Sequence, residues 1–198
     1  NDALARRSTC NGIRTFGMIF AYTPQFGNSV EIGENETRQQ AINNRLADII
    51  DHVNESYENS DLDIRVRLVY SYQTPESEYG NKDADFSAFT KKRRLNFALE
   101  EKDERYDEIW LLRYIHNADV AMLLTGDGYG GRAERRLRMG VYANLSDQIL
   151  FGVAHEIGHM FNLEHNRDEF KGLRRKFLDG KRAYGWRNDN NRTIMAYR

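Results

Sequence analysis

The chain has 198 residues, 40% of them apolar and 12% aromatic, which is enough for one domain with a hydrophobic core. Charged residues make up 30% of the sequence but nearly cancel to a net charge of −1, so the composition predicts no general affinity for nucleic acid or anionic membranes. No apolar run approaches the ~20 residues that a membrane span needs. The single cysteine, Cys10, excludes an internal disulfide.

The first half of the chain alternates between strand and helix patterns. An apolar, aromatic-rich run predicts a strand over residues 15–22, and apolar residues at helical spacing predict a helix over residues 34–57. Strict alternation over residues 62–72 then predicts a strand with one buried face. Residues 86–115 are expected to be mostly helical, in one or two pieces.

The second half begins with a continuous apolar run, residues 119–125, which predicts a central strand. Four glycines within residues 126–131 indicate a loop or bulge. Residues 139–145 are typical of a further strand, and residues 148–163 have helical periodicity. The rest is expected to be irregular, with one helix near residues 170–178. Strands that alternate with helices favour an α/β fold with a mostly parallel sheet.

Three of the five histidines lie within residues 155–165. His155 and His159 are one helical turn apart, so both imidazoles project from the same face, where two ring nitrogens can reach one Zn²⁺ at ~2.0–2.1 Å. A third ligand must arrive from another direction. His165 can supply it if the helix ends near Asn162, because asparagine tolerates a left-handed helix stop, although less readily than glycine.

Glu156 is the candidate catalytic base of this cluster. Three neutral histidines leave one position for a water, whose pKa on zinc falls from ~15.7 to ~7. Glu156 lies beside His155 and can take a proton from that water and pass it to the leaving amine, while the metal polarises the scissile carbonyl. A lone His-Glu-x-x-His also arises by chance on ordinary helices, but a third histidine at this spacing argues against chance.

The segment resembles the extended motif of the metzincin metallopeptidases, H-E-x-x-H-x-x-G-x-x-H followed by a methionine-containing turn. The motif residues match His155, Glu156, His159 and His165, and Asn162 stands in place of the glycine. The sequence Thr-Ile-Met-Ala-Tyr at residues 193–197 is similar to the turn. Together with Asn-Ala-Asp-Val at residues 117–120, it most resembles the reprolysin-like and peptidyl-Asp metallopeptidase group.

This resemblance implies roles for residues outside the motif. Met195 would form a hydrophobic base under the metal without ligating it, and Tyr197 would bind the metal or stabilise the oxyanion. The strand before the active-site helix would be an antiparallel edge strand that pairs with an extended substrate. Its residues would be Gly140, Val141, Tyr142, Ala143 and Asn144.

The resemblance also implies a metzincin-like α/β fold: a mixed, mostly parallel twisted sheet, two long helices, the active-site helix and a small irregular C-terminal subdomain. Residues 1–162 would form the N-terminal subdomain and residues 163–198 the C-terminal one, which carries the third ligand and the methionine turn. Together they would make one catalytic domain.

We therefore predict a secreted, monomeric zinc metalloendopeptidase that acts on protein or peptide substrates, without nucleic acid and without a membrane span. An inhibitory pro-segment is a further expected partner, and Cys10 could be the remnant of a thiolate switch. Two alternatives remain open. One is a non-proteolytic metal-binding interaction domain, against which the presence of Glu156 argues. The other is a gluzincin-type protease, which would take its third ligand from a glutamate on a later helix.

Overall fold

A five-stranded sheet forms the centre of the computed structural model, which describes residues 12–60, 62–90, 106, 108–128, 130–143, 146, 148–161, 163–166, 184–185 and 193–195. Its strands, in spatial order, are β2 (Ile64–Gln73), β1 (Arg14–Tyr22), β3 (Val120–Thr125), β5 (Met139–Ala143) and β4 (Gly130–Glu134). The first four pair in parallel, and β4 runs antiparallel to β5. The predicted α/β fold with a mostly parallel sheet is confirmed.

Helices cover both faces of this sheet. One face carries α1 (Pro24–Ser29), α2 (Arg38–Glu58) and α5 (Gln148–Met160), and the other carries α3 (Lys82–Thr90) and α4 (Glu108–Ile115). Helix α3, which begins four residues before the predicted start, and helix α4 lie in the predicted helical region 86–115, and Tyr106 between them lies in a turn. Strand β3 is buried at every position, as expected for a central strand with apolar side chains on both faces.

Helix α2 begins four residues later than the sequence pattern predicts. The Thr37 side chain accepts a hydrogen bond from the Gln40 amide, and the Gln40 side chain accepts one from the Thr37 amide at 2.8 Å. This capping box satisfies donors that the first turn would leave open, so it sets the start of the helix. The predicted apolar stripe is confirmed, since Ile42, Leu46 and Ile49 are buried.

Strand β2 does not keep the single buried face that its alternation predicts. Its register against β1 shifts between Met18 and Ile19, where β2 carries one extra residue. Because one extra residue flips the later side chains to the opposite face, Leu68 packs on the α2 side of the sheet and Tyr72 on the α3 side.

Two expectations for the glycine-rich region are wrong. Residues 126–131 are not wholly a loop, because Gly130 and Gly131 open strand β4. Nor is β5 an edge strand: it lies between β3 and β4, and Gly140, Val141, Tyr142 and Ala143 are all buried. An internal strand needs apolar residues on both faces, which β5 has. The fifth predicted edge residue, Asn144, lies outside the described residues.

After α5 the described chain forms a small parallel pair, β6 (Glu164–Asn166) with β7 (Tyr184–Gly185). The predicted helix near residues 170–178 lies outside the described residues, and the predicted subdomain boundary at residue 162 stays a prediction. Within the described parts of the chain, no helix is both long enough and apolar enough to cross a membrane.

We expect Gly152→Ala to destabilise the fold. A Cβ on Gly152 would overlap the ring of Tyr142, which is buried in β5 and donates its hydroxyl to the Gln148 carbonyl at 3.3 Å. Overpacking of this kind costs about 1–3 kcal/mol of the free energy of unfolding, which urea denaturation would measure. In a Tyr142→Ala background the same change should be neutral or stabilising, because alanine favours helix interiors. Stabilisation of the wild type by Gly152→Ala would contradict the described packing.

Candidate active site

Three histidine side chains converge beside the sheet. His155 and His159 project from α5, and His165 comes from β6. The Nε2 atom of His165 lies 3.1 Å from that of His155 and 2.9 Å from that of His159. All three rings are half-buried. The structure thus brings together the three residues that the sequence motif singled out, and they are its one potential metal-binding group among the described residues.

Main-chain carbonyls orient two of the rings. His155 Nδ1 lies 2.7 Å from the Ile194 carbonyl oxygen, and His159 Nδ1 lies 2.9 Å from that of Leu163. A carbonyl oxygen only accepts, so each Nδ1 carries the proton and donates it. In the neutral ring the lone pair is then on Nε2. Both Nε2 lone pairs are therefore available at the point where the rings meet.

This arrangement fits a zinc ion. Two unprotonated nitrogens about 3 Å apart repel each other unless a proton or a cation lies between them. Ligands of a tetrahedral zinc at ~2.0–2.1 Å stand about 3.3–3.4 Å apart, close to the observed separations. Burial is the largest cause that lowers the pKa of His159, and the neutral ring is the form that binds metal.

Glu156 lies under β4, the last strand of the sheet in the described part of the chain. Its side chain is 5% exposed, and a Cβ on Gly131 of β4 would come within 2.6 Å of its Oε1 atom. Only a residue without a side chain at position 131 lets the strand approach the carboxylate so closely. Burial raises the pKa of Glu156 to about 8, against the opposing effect of the Lys82 ammonium.

Met195 is buried against the active-site helix. It is 3% exposed, and a Cβ on Gly158 would overlap its sulfur. Gly158 precedes His159 on α5, so the methionine packs directly behind the histidine-bearing turn. Its side chain thereby supports the turn that presents the Ile194 carbonyl to His155. The two other residues with predicted roles here, Asn162 and Tyr197, lie outside the described residues.

Sequence reasoning missed an ion pair at this site. The Arg135 guanidinium, in the turn between β4 and β5, contacts the carboxylate of Glu164, which is buried next to His165. Arg135 belongs to a run of basic residues that is more often a solvated face, and no sequence pattern connects it with Glu164. Gly131 was also missed, because its only signal was membership in a glycine-rich stretch.

Comparison with solved structures identifies a similar fold. The structure of a chaperone–substrate complex contains a chain that matches with a TM-score of 0.64 and 16% identity, over 92% of this chain and 27% of that chain. The protein thus spans about a quarter of that relative, and at this identity the likeness concerns the fold alone. A zinc-dependent peptidase from Methanocorpusculum labreanum (strain Z) matches with a TM-score of 0.33 and 13% identity, over 74% of this chain and 82% of that chain.

Comparison with curated protein sequences gives no significant match. The family model Reprolysin_5, described as metallo-peptidase family M12, matches residues 13–198. This match covers nearly the whole chain, including the histidine cluster and the methionine turn, and it confirms the predicted relationship to reprolysin-like peptidases. The protein belongs to metallo-peptidase family M12.

Proposed function

We propose that the protein is a zinc-dependent endopeptidase that hydrolyses bonds within protein or peptide chains. Membership in a metallopeptidase family supports the reaction class. The observation that carries the proposal is the convergence of three imidazole Nε2 atoms one residue away from a buried carboxylate, Glu156. Because His165 completes this group, a gluzincin-type site with a later glutamate as third ligand gains no support.

The metal would be held by His155, His159 and His165 through Nε2. When bound, zinc supplies a Lewis acid for the scissile carbonyl and lowers the pKa of water to about 7. The protein supplies the orientation: carbonyls of Ile194 and Leu163 hold two of the rings with Nε2 facing inward. Such hydrogen bonds from Nδ1–H to a carbonyl also raise the basicity of an imidazole that coordinates through Nε2.

Glu156 would be the general base and then the general acid. In this proposal its carboxylate accepts a proton from the attacking water and donates it to the amine nitrogen of the leaving product. A proton carrier works best when its pKa lies near the working pH, and burial raises the pKa of Glu156 from its ordinary value toward that range. Tyr197, from the family resemblance, remains the proposed donor to the oxyanion.

The substrate would lie along β4. This strand ends the five-stranded sheet in the described part of the chain, so one side of its backbone is open for pairing. An extended peptide adds to such an edge through main-chain hydrogen bonds, with little demand on sequence. Gly131 contacts Glu156 from the same strand, which supports a scissile bond held within reach of the base. Secretion, a monomeric state and an inhibitory pro-segment stay predictions.

The Glu156→Gln variant tests the role of the base. We expect it to bind zinc as the wild type does but to lose about 10²–10⁴-fold in kcat, because only the proton-transfer step is removed. Cleavage of casein or a fluorogenic peptide and zinc content by atomic absorption would measure the two effects. Glu58→Gln, on the exposed end of α2, is the matched control and should retain full activity. Full activity of Glu156→Gln would overturn the assignment.

The third ligand is tested by His165→Ala. Loss of one of three protein ligands should abolish stoichiometric zinc binding and, with it, chelator-sensitive proteolysis. His116→Ala is the control, because that ring stacks on Tyr70 at 4.1 Å between centroids rather than joining the cluster. Stoichiometric zinc in dialysed His165→Ala protein would show that the ligand set is wrong. Zinc binding without proteolysis in the wild type would favour the non-proteolytic alternative.

Gly131→Ala tests whether β4 positions the base. The new methyl group would press on the Glu156 side chain, and displacement of a catalytic group by ~1 Å costs about 10²-fold in rate. We expect kcat/KM to fall by about that factor with zinc content unchanged. Gly12→Ala, where an added Cβ meets no atom of the described residues within 4 Å, should behave as the wild type. Unaltered kinetics of Gly131→Ala would show that β4 does not position Glu156.

A further inference from the structure

The ion pair between Arg135 and Glu164 joins the sheet to the segment that carries His165. Arg135 lies in the turn after β4, and Glu164 directly precedes His165 in β6. Glu164 is 7% exposed. We propose that this pair is a positioning device for His165, so that the affinity of the site for zinc depends on it. The inference rests on the proposed zinc site.

In the described residues, the strand pairing that holds the His165 segment is short. Strand β6 is three residues long and pairs with the two-residue strand β7, with an irregular register between Glu164 and Asn166. Isolated two-stranded pairs of this size are marginal. The Leu163 amide also bonds to the Gly158 carbonyl at 3.0 Å, which ties the segment to α5 but leaves β6 itself to be held from another direction. Arg135 provides that contact from the sheet.

A buried carboxylate is costly unless a cation accompanies it. Removing Arg135, whose own side chain is partly exposed, leaves the buried charge of Glu164 uncompensated, and the structure around it must shift to let water in. Removing Glu164 takes away the group through which Arg135 holds β6. Here the shift would occur one residue from His165. A small rotation of that segment moves its Nε2 atom away from those of His155 and His159, which now lie 3.1 and 2.9 Å from it.

If the pair positions His165, its loss changes zinc affinity differently than if its charges act only through electrostatics. Glu164 directly precedes His165 and Arg135 contacts Glu164, so both charges lie close to the histidine cluster. If only charge mattered, neutralising Glu164 would weaken the binding of a divalent cation and neutralising Arg135 would strengthen it. If the pair holds His165 in place, neutralising either residue weakens binding.

The experiment measures zinc affinity of the full chain by competition with a chromophoric chelator for Glu164→Gln, Arg135→Gln and the double variant. We expect each single change to weaken zinc binding about 10-fold, as loss of other residues that orient ligands does, and the double change to weaken it no further. The visible absorption of Co²⁺-loaded protein should shift in both single variants, since it reports ligand geometry directly.

The matched control is Asp83→Asn. Asp83 pairs with Arg132 at 2.9 Å, close to Arg135 in sequence, but this pair is exposed and joins β4 to α3. The zinc affinity of Asp83→Asn should stay within about twofold of that of the wild type, as expected for an exposed pair away from the histidines. Far-UV circular dichroism of each metal-free variant checks that it folds. If Arg135→Gln does not fold, Arg135→Lys keeps the charge and should retain affinity within about threefold.

Tighter zinc binding by Arg135→Gln would overturn the proposal in favour of electrostatics, and unchanged affinity of both single variants would overturn it in favour of a merely local contact. Weakened binding by Arg135→Lys equal to that of Glu164→Gln would also count against it. Failure of the wild type to bind one zinc would instead refute the proposed function, so the two failures are distinguishable.

Discussion

His155 and His159 each donate Nδ1–H to a main-chain carbonyl, at 2.7 Å to Ile194 and 2.9 Å to Leu163. A free imidazole can rotate and can carry its proton on either nitrogen, so two histidines on one helix do not by themselves make a metal site. The two carbonyls remove both freedoms, since they fix the ring plane and place the lone pair on Nε2. One of them belongs to the last residues of the chain. The cluster therefore depends on a segment that is remote in sequence.

The packing behind the histidine cluster involves the same C-terminal segment, through Met195. The Ile194 carbonyl contacts His155, and the next residue, Met195, packs against Gly158, where a larger residue would collide with its sulfur. The methionine contributes shape, and the flexibility of its thioether lets it fill an irregular gap. Met195 thus packs the carbonyl-bearing turn against the active-site helix, and its role as a hydrophobic base under a metal stays a prediction.

Local pattern was enough to predict much of this molecule. Helical spacing placed His155 and His159 on one face, and apolar runs predicted β1 and β3 nearly residue by residue. Prediction failed where tertiary context overrides propensity. Strand β4 begins with two glycines, which disfavour strands in isolation, and it forms because β5 supplies a pairing partner. The edge position predicted for the neighbouring strand came from the family resemblance, and it failed because β4 pairs with that strand on its outer side.

Other features could not be predicted because they join distant parts of the chain. The contact between Arg135 and Glu164 has no spacing rule that links its members, unlike the motif of histidines. The bulge that turns Tyr72 to the α3 side is equally invisible, since the alternation in β2 continues past it in sequence. Helix starts were closer to prediction, but the capping box at Thr37 was passed over in favour of apolar periodicity.

Strand β4 connects the base with the proposed substrate path through its pleat. Successive side chains of a strand point to opposite faces, so Gly131 and Ala133 face α5 while Arg132 faces α3. Arg132 pairs with Asp83 and lies over the Phe86 ring at 4.7 Å, which holds the strand from one side of the sheet. On the other side of the sheet, the absence of a side chain at Gly131 lets the strand pack closely against Glu156. A peptide paired with the outer side of β4 would thus be aligned by the same backbone that packs against the Glu156 carboxylate. In that arrangement, the distance between the scissile bond and its base is set by the sheet itself and not by the flexible ends of side chains.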